Sequence, residues 1–128
     1  MLLKNDIEIL RKLFSKHNYI TVSYTHLDVY KRQYLDYGTY DTVRCNYPEY
    51  ALKAANAVAS KECDRGILCC GTGVGISIAA NKVKGIRCVV CSDPYSALLS
   101  RQHNDSNMLA MGSRVVGKDL ALMILRCV

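Results

Sequence analysis

No stretch of roughly eighteen apolar residues occurs, so no segment reads as a membrane-spanning helix. The first residues also lack the apolar core of a secretory signal. Paired cysteine doublets flanked by histidines are missing, which removes the spacing of a zinc site. The basic residues form no run and are interleaved with no aromatic platform, so a nucleic-acid ligand is not expected. Fibrous repeats and low-hydrophobicity tails are excluded too, because half of the residues are apolar. What remains is one domain with a real core, since 128 residues are too few for two.

Seven cysteines without a secretory signal are expected as reduced thiols in a cytoplasmic compartment, most behaving as small buried hydrophobes. The net charge of +6, from 17 basic and 11 acidic residues, favours an anionic partner, with a phosphorylated small molecule ahead of a polymer.

Residues 6–17 carry apolar side chains at helical spacing, and the pattern loses coherence after Tyr19. Ser23 to Gln33 resembles, residue for residue, a peptide that recurs in unrelated translated environmental sequences as adapter or assembly contamination. On that reading residues 1–33 are an atypical, non-native segment without functional weight, and residues 34–128 are the domain.

From Tyr34 onward, strands and helices alternate. Strands are expected over 34–37, 65–70, 86–91 and 108–111, and helices over 47–60, 76–82, 95–103 and 118–127. The strands are nearly continuous apolar runs, as buried parallel strands are. The expected fold is an α/β, three-layer α/β/α sandwich with a doubly wound, Rossmann-like parallel sheet. Ligands in such sheets bind at the carboxyl ends of the strands, and every polar cluster of interest is expected there.

Cys70-Gly71-Thr72-Gly73-Val74-Gly75 leaves a strand and enters a helix. Successive glycines let backbone amides converge on a negative oxygen. The loop has no lysine of a Walker motif and does not fit the dinucleotide fingerprint. Tight strand-to-helix packing is the alternative reading. Cys70, at the strand end, is a base or nucleophile with a favoured thiolate, or a structural thiol; position alone leaves both open. Cys69 alternates to the other face and is expected in the core. His103, in Arg101-Gln102-His103-Asn104-Asp105, is a proton carrier or a surface helix-end residue. Asn107 and Arg114 flank the last strand and are expected at one sheet edge, with Arg114 either an anion ligand or a solvated charge. Tyr47 either reaches the cleft or anchors packing.

Residues 70–82 and 100–105, with Asp36-Tyr37-Gly38-Thr39, Asn46-Tyr47-Pro48 and residues 111–117, resemble the type B ribose-5-phosphate isomerase family. Galactose-6-phosphate isomerase subunits share its fold. The resemblance covers roughly three quarters of the chain. It implies an aldose-ketose isomerase without metal or cofactor that interconverts ribose 5-phosphate and ribulose 5-phosphate through an enediolate. In that family Cys70 matches the base, Thr72 a residue assisting at the oxygens, and His103 the residue that opens the furanose ring. The amides of Gly71, Gly73, Val74 and Gly75 match those holding the developing charge. Asn104 and Arg114 match substrate and phosphate contacts, and Tyr47 matches a residue near the sugar. Family members are homodimers or homotetramers whose sites draw on two subunits.

Three departures accompany the resemblance. The family's first strand, ending in an Asp-His pair, is not recognisable before Tyr34; Leu13-Phe14 stands at the alignable position. Asn46 replaces an aspartate. The family's C-terminal segment, whose arginines grip phosphate, has no counterpart before Val128, so the domain reads as C-terminally truncated. The alternatives are a galactose-6-phosphate isomerase subunit and a catalytically impaired phosphate-binding fragment.

Overall fold

The computed structural model describes residues 20–25, 33–38 and 45–127. The helical pattern read over 6–17 lies outside them. Five strands are described: β1 (Ile20–Thr25), β2 (Gln33–Asp36), β3 (Arg65–Cys70), β4 (Cys88–Val90) and β5 (Met108–Gly112). Four helices accompany them: α1 (Tyr47–Ala59), α2 (Val74–Ala80), α3 (Pro94–Gln102) and α4 (Lys118–Arg126). The strands form one sheet in the order β2-β1-β3-β5-β4, and β3, β5 and β4 run parallel.

Alternation along the central strands builds two cores. Ile67 and Cys69 of β3 and Leu109 and Met111 of β5 bury on one face with Ala97 of α3 and Ala121 and Ile124 of α4. Leu68, Cys70, Met108 and Ala110 bury on the other with α1 and α2. This period of two, covered on both faces, is what makes the strands read as unbroken apolar runs. Ala51, Ala54 and Ala55 of α1 are fully buried, and their small side chains let the helix lie close to the sheet. The fold is the expected three-layer, Rossmann-like α/β/α sandwich.

Helix starts follow local chemistry. Pro48 and Pro94 stand in the first turns of α1 and α3, where a missing N–H costs nothing. The Asp93 carboxylate accepts from the Ser96 amide at 2.7 Å and caps α3. At the sheet edge, the Asn81 side chain pairs with Cys88 through two 2.8 Å hydrogen bonds, donating to its carbonyl and accepting from its N–H.

Two expectations need correction. Ile20–Thr25 is a strand, although no period was read after Tyr19; its β-branched residues Ile20, Thr21, Val22 and Thr25 suit a sheet. This strand also pairs antiparallel with both β2 and β3, so the sheet is mixed. Strand direction follows from connection and neighbours, which a strand's own pattern does not encode.

Burial sets a pH dependence on the core. It pushes the Cys69 and Cys88 thiols from an ordinary value of 9.0 up to about 12. An acid with a raised folded-state pKa keeps its proton when folded and loses it when unfolded. Its stability contribution is therefore complete below pH about 9 and is lost as pH rises toward about 12. Urea titrations at pH 8 and pH 10 are expected to show a loss on the order of 1 kcal/mol per thiol. A Cys88→Ala variant should lose less over the same interval; an equal slope would contradict the assignment.

Candidate active site

Cys70 ends β3, opposite Gly112 at the end of β5. Its side chain is buried, and the Gly73 N–H donates to Sγ at 3.1 Å. That donor is available because Gly73 turns the chain back with φ 81°, a conformation glycine adopts without strain. A Cβ on Gly73 would also lie 2.9 Å from the Met111 carbonyl carbon. The Val74 N–H donates to Thr72 Oγ1 at 3.3 Å. An N–H aimed at sulfur complements negative charge there.

The loop after β5 locks this turn in place. Ser113 donates to the Cys70 carbonyl twice, from its N–H at 2.8 Å and its hydroxyl at 3.2 Å, and the Arg114 N–H donates to the Gly71 carbonyl at 3.2 Å. The Arg114 side chain lies over Gly71, with its guanidinium carbon 3.7 Å from where a Cβ would stand. Tyr47 closes the other side: a Cβ on Gly75 would run into its hydroxyl and ring. Cys70, the glycine turn, Thr72, Tyr47 and Arg114 thus meet at the carboxyl edge of the parallel strands, which brings a sulfur and a cation to one turn.

Gly112 is a position that motif reading left without a role. A Cβ there would stand 2.7 Å from the Thr72 carbonyl carbon, so the two backbones touch. Gly112→Ala is expected to push the turn outward and destabilise the fold by roughly 1–3 kcal/mol. Urea denaturation checks the stability change; a midpoint equal to that of the parent would contradict the close approach.

His103 and Asn104 are not at this edge. Helix α3 begins after the carboxyl end of β4 and, with nine residues at about 1.5 Å each, returns the chain to the amino end of β5. Asn107 is anchored there, its carbonyl accepting from Gly66 N–H and its side chain accepting from Arg87 N–H at 2.8 Å. The Gly66–Met108 and Cys70–Gly112 rungs stand about 13 Å apart along the strands. The expectation that every polar cluster lies at the carboxyl edge is therefore corrected, as is the pairing of Asn107 with Arg114. Proximity to a strand in sequence says nothing about which of its ends is near.

The amino edge is basic. Burial and the neighbouring charge of Arg101 both lower the Arg65 pKa. Arg87 pairs with Asp105 at 2.8 Å and Arg101 approaches the same carboxylate at 3.5 Å. His103, Asn104 and Asp105 are exposed. Among the described residues no group of histidine, cysteine and acidic side chains is arranged to hold a metal, and no helix is long and apolar enough to cross a membrane.

Comparison with known proteins matches residues 15–127 to a family described as Ribose/Galactose Isomerase. Ribose-5-phosphate isomerase B of Escherichia coli is 68% identical over 90 residues, covering 70% of this chain and 60% of that protein. The galactose-6-phosphate isomerase subunit LacB of Clostridium acetobutylicum is 48% identical over 83 residues, covering 65% and 48%. The structure of Clostridium thermocellum ribose-5-phosphate isomerase B superposes with a TM-score of 0.72 at 59% identity, covering 73% of this chain and 63% of that one. The chain spans about three fifths of the length of the curated relatives it matches.

Proposed function

The chain belongs to the Ribose/Galactose Isomerase family, and we propose that it interconverts ribose 5-phosphate and ribulose 5-phosphate. The observation that carries this reading is Cys70 Sγ under the Gly73 N–H at a strand end, with Arg114 laid across the same turn. The Cys70 thiolate removes the proton on C2 of the open-chain aldose. The released electron pair forms the C1–C2 double bond, and the carbonyl oxygen takes up negative charge. The C2 hydroxyl proton passes to the C1 oxygen, the sulfur returns its proton to C1, and C2 becomes the ketone. Electrons and atoms balance without a cofactor. The glycine turn and the Thr72 hydroxyl stabilise the enediolate oxygens. Arg114 pairs with the phosphate.

His103 opens the furanose ring by moving a proton between ring oxygen and C1 hydroxyl. Within one chain it stands at the opposite sheet edge from Cys70, so it acts on the site of a second copy, with Asn104 beside it. A two-fold arrangement then makes two such composite sites.

A galactose-6-phosphate isomerase subunit is the second reading, favoured by the relative from Clostridium acetobutylicum. NMR-monitored interconversion separates the two. The proposal expects equilibration of ribose 5-phosphate with ribulose 5-phosphate and little change in galactose 6-phosphate. Turnover of the hexose phosphate alone, or of neither substrate by folded protein, overturns it.

A further inference from the structure

The turn bearing His103 and Asn104 is held from outside its own helix. Asp105, next in the chain, has φ 47°, a left-handed conformation disfavoured for residues with a Cβ. Arg87 grips it at two points: Nε donates to the Asp105 carbonyl at 2.7 Å and Nη2 to Oδ2 at 2.8 Å. Arg101 faces Oδ1 at 3.5 Å and donates to the Ser106 carbonyl. Arg87 is itself fixed, because its N–H donates to Asn107 Oδ1 at 2.8 Å and its carbonyl accepts from Asn107 N–H at 3.1 Å. A planar guanidinium bound at both a carbonyl and a carboxylate sets orientation as well as distance.

We propose that Arg87 is a positioning residue: by locking Asp105 in its left-handed conformation, it fixes where His103 projects. The inference rests on the isomerase reading, in which His103 serves ring opening. The Arg87 and Asp105 side chains are 46% and 78% exposed, so their pair adds little to stability. Its effect falls on geometry, where a displacement of about 1 Å far from the chemistry costs up to a hundredfold in rate.

The substrates supply a readout that a merely structural role would not move. Ribose 5-phosphate closes a ring through its C4 hydroxyl. Ribulose 5-phosphate forms no such ring, because its C5 oxygen carries the phosphate. Solvent deuterium entering C1 of the ketose therefore reports proton transfer at Cys70 alone, whereas consumption of the aldose also requires ring opening.

The test compares Arg87→Gln, Asp105→Asn and the double variant in D2O. Each single variant is expected to consume ribose 5-phosphate slower by roughly tenfold or more, with deuterium entry into ribulose 5-phosphate within about twofold of the parent. The double variant should be no slower than the worse single one, since both act through one contact. Equal loss of both rates, loss of neither, or multiplied effects in the double variant overturns the inference. Should Arg87→Gln fail to fold, Asp105→Asn carries the test, because asparagine tolerates the left-handed conformation. No deuterium entry with the parent chain would sink the isomerase reading, and this inference with it.

Discussion

Replacing Cys70 with alanine is expected to lower isomerase turnover by about three orders of magnitude while the protein stays folded. The step at stake is abstraction of a carbon-bound proton, which needs a base within reach of C1 and C2. Sγ of Cys70 lies at the strand end with the Gly73 amide 3.1 Å away. Alanine removes the base and leaves that amide without its partner. The structural cost is small, about 1 kcal/mol, because the side chain lost is one atom beyond Cβ. Cys70→Ser controls for this, keeping an acceptor for the amide but offering a far weaker base. Steady-state kinetics with circular dichroism read both sides. Wild-type turnover in Cys70→Ala would remove the thiol from the mechanism.

Mixing two inactive variants should restore activity. Cys70→Ala lacks the base and His103→Ala lacks the ring-opening group, yet random pairing gives dimers in which one site combines an intact Cys70 with an intact His103. About a quarter of the wild-type activity is expected from equal amounts refolded together, the statistical yield for two-fold composite sites. The physical basis is the separation of the two edges, about 13 Å along strands β3 and β5. Activity no greater than the sum of the separate variants would mean that both residues serve one chain, and the path of α3 makes that incompatible with the fold.

Most of the fold was legible from residue 45 onward, where the strands are runs of apolar residues and two of the helices open on recognisable chemistry. Asp93-Pro94 marks the start of α3 and Tyr47-Pro48 that of α1, because caps and prolines act locally. Cys69 was placed in the core by alternation alone, and it buries on the face opposite Cys70. Strand β1 escaped, and its direction was beyond reach, since pairing belongs to the sheet and not to the six residues.

The glycine turn was readable as an amide-lined loop, and its neighbours Tyr47 and Arg114 do converge on it. The edge occupied by His103 was recoverable by arithmetic: α3 starts at the carboxyl end of β4, so its last turn must lie at the amino end of β5. Arg87 had no local signal. One arginine after Gly85-Ile86 looks like any solvated charge until the turn at Asp105 folds against it.

Substrate protection of a single thiol reports on whether Cys70 is the base. Iodoacetamide labelling, followed residue by residue with mass spectrometry, is measured with and without ribose 5-phosphate. The sugar phosphate is expected to slow labelling of Cys70 and to leave partly exposed Cys45 and Cys127 unaffected, with activity falling in step with Cys70 modification. Labelling of Cys70 that ignores the substrate, or activity that survives its complete modification, would contradict that role.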